Sequence, residues 1–141
     1  MSKATDILAG DDFEKIVRGM LPIQTHSLEV EETTVEAGSS ARVSVKSKQT
    51  FRAEKLEIPA TVASDFLIEE ILVGGVSQKF QQGTLPGVLF SELLPFGMRL
   101  KMDTCLPDET MTIVIRNQAS ESRKFKGKFL GLEVSSKEDL K

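Results

Sequence analysis

The chain has few of the side chains that most enzymes use for catalysis. Its 141 residues include one histidine (His26), one cysteine (Cys105), and no tryptophan or tyrosine. Side-chain catalysis usually needs a nucleophile with a partner base, or a group of metal ligands. We therefore expect no catalytic residue, no metal centre and no cofactor. The sequence favours a protein that works through its shape and its surface.

Other absences bear on where the protein works. The formal net charge is only −3 at pH 7, so no strong positive field attracts nucleic acid or an anionic membrane. Charged residues and glycines interrupt the longest apolar runs, so no segment predicts a membrane-spanning helix. Residues 1–12 lack the apolar region of a signal peptide, and a single cysteine cannot form an internal disulfide. The expected location is the cytoplasm.

Residues 1–26 predict an N-terminal arm with a short amphipathic helix. Its apolar residues are spaced i, i+3, i+4 and i+7: Phe13, Ile16, Val17 and Met20. Acidic residues precede them, where the positive end of a helix dipole favours negative charge. The apolar stripe would cover either the core of the same domain or a neighbouring subunit. Both interpretations stay open, and these four residues are candidate assembly contacts.

From residue 27 onward the apolar period changes from 3.6 to 2, which predicts strands separated by Gly and Pro turns. The main predicted strands cover residues 28–30, 41–45, 51–58, 65–73, 98–103, 111–116 and 123–134, with short ones at 76–80 and 88–91. About eight strands without intervening helices predict an all-β fold, an antiparallel β-sandwich over residues 27–141. A jelly roll of two four-stranded sheets is the closest count. We expect the 111–116 strand to pair with the last one.

Two of the predicted strands contain charged residues in an informative arrangement. Glu69 and Glu70 shift the apolar register of their strand, which predicts a bulge there. Three interpretations stay open: an exposed bulge, a bulge with one glutamate pointing inward, and a subunit contact for both. Lys124, Lys126 and Lys128 share one face of the last strand. Lysines placed in this way typically protect a sheet edge from unwanted pairing.

The polar loop residues do not form a known motif. Asp103, Asp108 and Glu109 flank Cys105 without the alternating acidic spacing of a calcium loop. A solvated turn and a weak calcium site both stay open for them. A reactive cysteine needs a histidine or a cationic pocket beside it. We therefore predict that Cys105 is a partly buried, inert thiol and that His26 is a structural loop residue.

Two stretches of the chain resemble virus structural proteins. Residues 51–78 contain FRAEKLEIP and FLIEEILVGGVSQ, and residues 111–127 contain MTIVIRN and RKFKG. In strand order and loop texture, residues 45–134 resemble the small single-β-sandwich structural proteins of viruses and bacteriophages, of the coat or capsid-decorating type. The resemblance implies a jelly-roll-like subunit that contacts copies of itself or a major shell protein. It also implies assembly in the cytoplasm and residence in a virion.

The N-terminal arm argues against genome packaging. In residues 1–26, four acidic side chains outnumber three lysines and arginines, so the arm cannot neutralise many phosphates. We expect no direct contact with nucleic acid and none with a membrane. The leading hypothesis is therefore a non-enzymatic structural protein of a shell or its decoration.

The loop over residues 79–97 supplies the second set of predicted assembly contacts. It has more apolar residues than a solvated loop needs: Leu85, Val88, Leu89, Phe90, Leu93, Leu94 and Phe96. The candidate contacts among them are Leu85, Leu89, Phe90 and Phe96. The alternative hypothesis is a β-sandwich that binds carbohydrate or lipid. The lack of tryptophan and tyrosine disfavours it, because sugar sites normally use these rings as stacking surfaces.

Overall fold

The computed structural model describes residues 23–78, 83–93 and 102–134. These residues form mostly antiparallel β-structure with little helix, which confirms the predicted all-β class. The strands in this part of the chain are β1 (Ile23–Glu29), β2 (Thr33–Val35), β3 (Ser40–Lys46), β4 (Thr50–Glu57), β5 (Phe66–Val73), β6 (Val76–Ser77), β7 (Leu85–Pro86), β8 (Thr110–Asn117), β9 (Arg123–Phe125) and β10 (Lys128–Val134). Helix α1 (Ala60–Ala63) and a 3-10 helix (Gly87–Phe90) complete the elements. Neither of these helices could span a lipid bilayer.

The strands form three sheets. The first has the order β1–β10–β4, the second pairs β2 with β9, and the third has the order β3–β8–β5–β6, with β7 beside β5. The described residues contain ten strands and not about eight, because β2, β6, β7 and β9 are short pieces of two or three residues. The segment 88–91, predicted as a short strand, lies mostly in the 3-10 helix.

The last predicted strand is divided between two sheets. Lys126 and Gly127 separate β9 in the second sheet from β10 in the first. The prediction that β8 pairs with this segment is therefore wrong, since β8 lies between β3 and β5. At the division, the Val30 N–H donates to the Gly127 carbonyl oxygen at 3.0 Å. This bond extends the pairing of β1 with β10 by one residue, to the point where β9 and β10 separate.

The β-region begins before residue 27. β1 starts at Ile23, so the last four residues of the predicted arm belong to the first sheet. His26 consequently lies in a strand opposite Gly131, and not in a loop as predicted. The predicted helix and its candidate contacts, Phe13, Ile16, Val17 and Met20, lie outside the described residues.

One apolar core connects the three sheets. Along β8 the side chains of Met111, Ile113 and Ile115 are fully buried, and the residues between them are half-buried on the other face. The rings of Phe66 in the third sheet and Phe125 in the second meet edge to face, with centroids 5.1 Å apart. The predicted alternation of β8 is thus confirmed, and both sheets contribute to the same interior.

β5 contains the predicted bulge. Its register against β8 shifts just before Glu70, while the apolar residues on both sides of the bulge stay buried. The Ser40 hydroxyl donates to Glu69 Oε1, and the Ser77 hydroxyl donates to Glu70 Oε2, both at 2.8 Å. The bulge therefore turns both carboxylates to the outer face, where strands β3 and β6 hold them.

Candidate contact surfaces

The structure places two of the predicted loop contacts inside the protein. Leu85 is only 8% exposed and Phe90 is fully buried, and Leu89 is half-buried against the same core. Leu85 and Phe90 thus pack in the chain's own interior, which corrects their prediction as assembly contacts. The half-exposed Leu89 stays a predicted contact. The fourth candidate, Phe96, lies outside the described residues.

The packing of the 3-10 helix explains this correction. The helix follows β7 directly, and Gly87 lies so close to the backbone that a Cβ there would overlap the carbonyl oxygens of Ala63 and Phe66. The Ile58 N–H donates to the Phe90 carbonyl oxygen at 2.8 Å. Because both of its ends are fixed against α1, β4 and β5, the helix must turn its apolar side inward.

Other apolar side chains of the described ranges are exposed instead. The large ones are Ile23, Val76, Val88, Leu93 and Leu106. Leu93 is 73% exposed and Leu106 is 52% exposed. Val88 and Leu93 belong to the loop 79–97 that was predicted to supply contacts. Ile23, Val76 and Leu106 were not predicted, because a single exposed apolar residue has no periodicity that indicates its environment. The positions of all five in the fold divide them into two groups.

The first group lies at what we call the loop end, comprising Ile23, Val76 and Leu106. The Leu106 N–H donates to Glu109 Oε1 at 2.9 Å. A Cβ on Gly74 would lie 2.8 Å from Oε2 of the same carboxylate, so the turn before Val76 adjoins the Leu106 turn. Ile23 pairs with Val134 at the end of β10, which in turn pairs with Thr50 at the start of β4, so Ile23 lies at the same end of the first sheet.

The second group, Val88 and Leu93, lies at what we call the helix end, beside α1. Glu92 Oε2 accepts the N–H of Ala60 at the start of α1 at 3.0 Å. The Glu92 N–H donates to the Ile58 carbonyl oxygen at 2.9 Å. The segment that follows the 3-10 helix is therefore held against both α1 and the end of β4.

Strand β4 separates the two ends. Cys105, next to the loop end, forms a β-bridge with Phe51 at the start of β4. Ser91, at the helix end, forms a bridge with Ile58 just after β4. Extended chain rises about 3.3 Å per residue, so the two bridges lie roughly 23 Å apart. The exposed apolar side chains thus lie at opposite ends of the protein.

A cleft of about 310 Å³ with several charged lining residues lies between the ends of β1 and β4 and the start of β10. Its charged lining residues are Glu29, Glu32, Glu57, Glu92, Lys126 and Lys128. Several of these charges are paired with one another, at 3.5 Å for Lys126 Nζ and Glu32 Oε2 and at 3.8 Å for Lys128 Nζ and Glu57 Oε1. Because β10 is the central strand of its sheet, Lys128 cannot protect an edge there, which corrects the sequence-based interpretation.

Cys105 is fully buried, and its thiol is a poor nucleophile. Burial, and secondarily the negative charge of Glu109, raise the pKa of the Cys105 thiol to about 11. Its sulfur lies 3.5 Å from the Glu109 carbonyl oxygen, to which the thiol donates. The thiolate, which is the reactive form of cysteine, is therefore disfavoured.

The polar residues that were considered as metal ligands have other contacts. The Asp103 N–H donates to Gln78 Oε1 at 2.9 Å, and Gln78 Nε2 donates to Asp103 Oδ2 at 3.2 Å. His26 Nε2 lies 3.4 Å from Glu133 Oε2, which is largely buried. In the part of the chain that the structure describes, no three histidine, cysteine or acidic side chains are grouped to hold a metal.

Comparisons with known protein families, curated proteins and solved structures found no match. The resemblance to virus structural proteins therefore stays a prediction. Function has to be inferred from the surfaces described above.

Proposed function

We propose that this chain is a non-enzymatic structural subunit that assembles with copies of itself in a viral or phage shell, or in its decoration. The observation that carries the proposal is the exposed apolar surface at both the loop end and the helix end. Scattered apolar residues on a surface need no explanation. Groups at two opposite ends suit a subunit that must contact neighbours on two sides, because each contact buries apolar area.

The strand order supports a jelly-roll sandwich as the frame of this subunit. Successive strands alternate between the first and third sheets at the β3–β4 and β4–β5 connections. The third sheet has four strands on its main path, and the Phe51–Cys105 bridge brings a further segment beside β4 in the first. A jelly roll has two four-stranded sheets, so the three-stranded first sheet would need the segment at Cys105 as its fourth strand.

The proposed partners are other copies of this chain, with a major shell protein as a second partner if the subunit decorates a shell. The net charge of −3 and the pairing of Lys126 and Lys128 with glutamates leave little positive surface for a genome. Assembly would take place in the cytoplasm, and the finished protein would reside in the virion.

A ligand-binding sandwich is the weaker alternative. The cleft between the ends of β1 and β4 and the start of β10 reaches the lower size limit of small-molecule pockets, about 300 Å³. The residues described as lining it include no aromatic side chain, and a ligand would have to displace its ion pairs. These properties suit neither the stacking of a sugar ring nor the burial of a lipid chain.

The first test is the mass of the purified protein in native buffer. Light scattering with refractive-index detection is needed, because the chain has no tryptophan or tyrosine for absorbance measurements. We expect a mass several times the 15.5 kDa of one chain, and regular particles in negative-stain images. A protein that stays at 15.5 kDa at every concentration refutes the proposal.

Introducing a negative charge at each apolar end tests which surface is responsible for assembly. Leu93→Glu and Leu106→Glu should each lower the oligomer mass and leave the circular dichroism spectrum unchanged, since both side chains are exposed. Ser44→Glu is the matched control, because Ser44 is exposed in the middle of β3, between the two ends. If all three variants assemble as the unmodified protein does, the apolar ends are not the contacts.

A further inference from the structure

Within the described residues, the first sheet ends in an edge strand, β1, that nothing covers. β1 is seven residues long and, within the described residues, pairs only with β10. Its sequence, Ile-Gln-Thr-His-Ser-Leu-Glu, contains neither proline nor a lysine or arginine, and its one carboxylate is at the end, in Glu29. Natural sheets usually shorten, charge or break their edge strands, because an open edge pairs readily with another strand.

The two other long edge strands of the described structure, β4 and β3, do carry such protection. β4 contains Arg52 and Lys55, and the Cys105 segment bridges its start. β3 is also seven residues long and pairs only with β8 there, but it exposes Arg42 and Lys46. At the opposite side of that sheet, β6 has only two residues. Among these edges, β1 alone combines length with a lack of protective charge.

The backbone bonds of β1 fix which of its groups point outward. Val30 follows the same register as β1 and bonds to Gly127 on the β10 side. Residues of an antiparallel strand alternate in the side to which they bond, so Gln24, His26 and Leu28 direct their backbone groups to β10. The odd-numbered residues, Ile23 to Glu29, direct theirs to the open edge.

We propose that β1 pairs antiparallel with β1 of a second copy, about a two-fold axis at His26. The inference rests on the proposed self-assembly and specifies one of its contacts. In this register Thr25 lies opposite Ser27 of the second copy, and Ile23 lies opposite its Glu29. The hydrogen-bonded pairs of this register are all between odd-numbered residues. These are the residues whose backbone N–H and C=O groups point to the open edge. The first sheets of the two copies become one continuous sheet.

The side chains of β1 are complementary to themselves in this register. Thr25 and Ser27 are both exposed on the outer face, and their hydroxyls would meet across the axis. The same kind of pair exists within the third sheet, where the Ser44 and Thr112 hydroxyl oxygens lie 2.9 Å apart on neighbouring strands. Glu29 of one copy faces Ile23 of the second copy and not the second Glu29, so no like charges are directly opposed.

Cysteine at position 26 tests the axis directly. The two His26 residues would form a non-hydrogen-bonded pair with Cα atoms about 4.5 Å apart, within the range that a disulfide spans. His26→Cys should therefore form a disulfide-linked dimer on mild oxidation. Ser44→Cys, an exposed position on the β3 edge, is the matched control and should stay monomeric in a non-reducing gel. The native Cys105 is fully buried and should not contribute.

Edge prolines provide a second measurement that does not depend on a new disulfide. Proline is tolerated on an edge strand where the lost N–H faces solvent, so Thr25→Pro should fold. It removes a central outward donor and should weaken self-association by roughly 10-fold or more, as main-chain bonds provide the affinity of strand addition. Ser44→Pro removes an outward N–H from β3 in the same way and should leave self-association unchanged.

The outcomes separate this inference from the proposed function. If particles form normally with Thr25→Pro and folded His26→Cys gives no linked dimer, the β1 contact is wrong, while the shell subunit stands. If residues 1–22 of the same chain cover the edge instead, the same two negative results appear. If β1 dimers form but never grow into larger particles, the edge contact stands and the shell proposal fails. A linked dimer from Ser44→Cys alone would assign the contact to β3 and overturn the inference.

Discussion

Asn117 and Val35, which are 82 residues apart in the chain, are joined by a hydrogen bond from Asn117 Nδ2 to the Val35 carbonyl oxygen at 2.9 Å. The same amide nitrogen donates to the Glu121 carbonyl oxygen at 2.9 Å, and Asn117 Oδ1 accepts the Ala119 N–H at 2.8 Å. The side chain is fully buried. One amide therefore satisfies three backbone groups where β2, β8 and the loop before β9 meet.

Asn117→Ala should destabilise the protein strongly. The substitution leaves the buried Val35 carbonyl oxygen without its partner, and such an unsatisfied group costs about 1–3 kcal/mol. The two part-buried bonds to Glu121 and Ala119 are also lost. We expect the free energy of unfolding to fall by about 2–3 kcal/mol in a urea titration followed by far-UV circular dichroism. Gln118→Ala is the control, because the Gln118 side chain is exposed and bonds only to Ser64. Equal losses for both variants would contradict the role of Asn117.

Gly131→Ala should be a second severe substitution. A Cβ at residue 131 would overlap the carbonyl oxygen of Arg52 on the neighbouring strand, and backbone cannot move aside easily. Overpacking of this kind costs about 1–3 kcal/mol and occasionally more, and we expect the upper part of that range. Gly127→Ala is the comparison, since its nearest neighbour would be the Phe125 ring at 3.1 Å, a side chain that can shift. The unfolding temperature of Gly131→Ala should be well below that of Gly127→Ala. The reverse order would contradict the close approach of Gly131 to the Arg52 backbone.

Local patterns were sufficient to predict most of the long strands. Alternation within β8 and the shifted register at Glu69 depend on neighbouring residues alone, so the sequence contains the whole signal. The separation of β9 from β10, by contrast, does not depend on neighbouring residues alone. Phe125 and Phe129 are both buried, with period 2 maintained across Gly127, although they belong to different sheets. Strand order is decided by contacts between distant residues, which a local pattern cannot reveal.

The contact surfaces were harder to predict for the same reason. Phe90 and Leu93 are both apolar residues of one turn-rich segment, yet the first is fully buried and the second is 73% exposed. Only the close packing of Gly87 against Ala63 distinguishes them, and these two residues are far apart in the chain although they touch in the fold. The β1 edge was missed because residues 23–26 were assigned to the arm, where a short polar strand has little apolar signal.

Ile113 should be far less tolerant than its neighbour Thr112. Ile113 is fully buried between Val43 on β3 and Ile71 on β5. Ile113→Ala should cost about 2–5 kcal/mol through lost burial and a cavity. Ile113→Lys should abolish folding, because a buried ammonium without a partner is too costly.

Thr112→Lys is the control for Ile113, on the opposite face of β8. Thr112 is half-buried, and its hydroxyl contacts that of Ser44, so its loss should cost less than about 1 kcal/mol. Chemical unfolding of both lysine variants provides the measurement. If Ile113 accepts lysine as readily as Thr112 does, the inward face of β8 has been assigned wrongly.

The buried Cys105 thiol should make the protein less stable at alkaline pH. Its pKa is raised from 9.0 to about 11, chiefly by burial and then by Glu109. Below pH 9 the thiol is protonated in both the folded and the unfolded chain, and its stabilising contribution is fully present. Above pH 9 the unfolded chain loses this proton first, so the free energy of unfolding falls as the pH rises and levels off above about 11.

Cys105→Ala isolates this effect from the other groups that titrate at high pH. The variant leaves a small cavity, so its stability should be lower at every pH, but the contribution of the thiol is removed. Between pH 8 and pH 11 the unmodified protein should lose on the order of 2 kcal/mol more unfolding free energy than the variant, measured by urea titration. Iodoacetamide should label Cys105 rapidly only in denaturant. Parallel stability curves, together with fast labelling of the folded protein, would show that the thiol is accessible and that burial does not control its pKa.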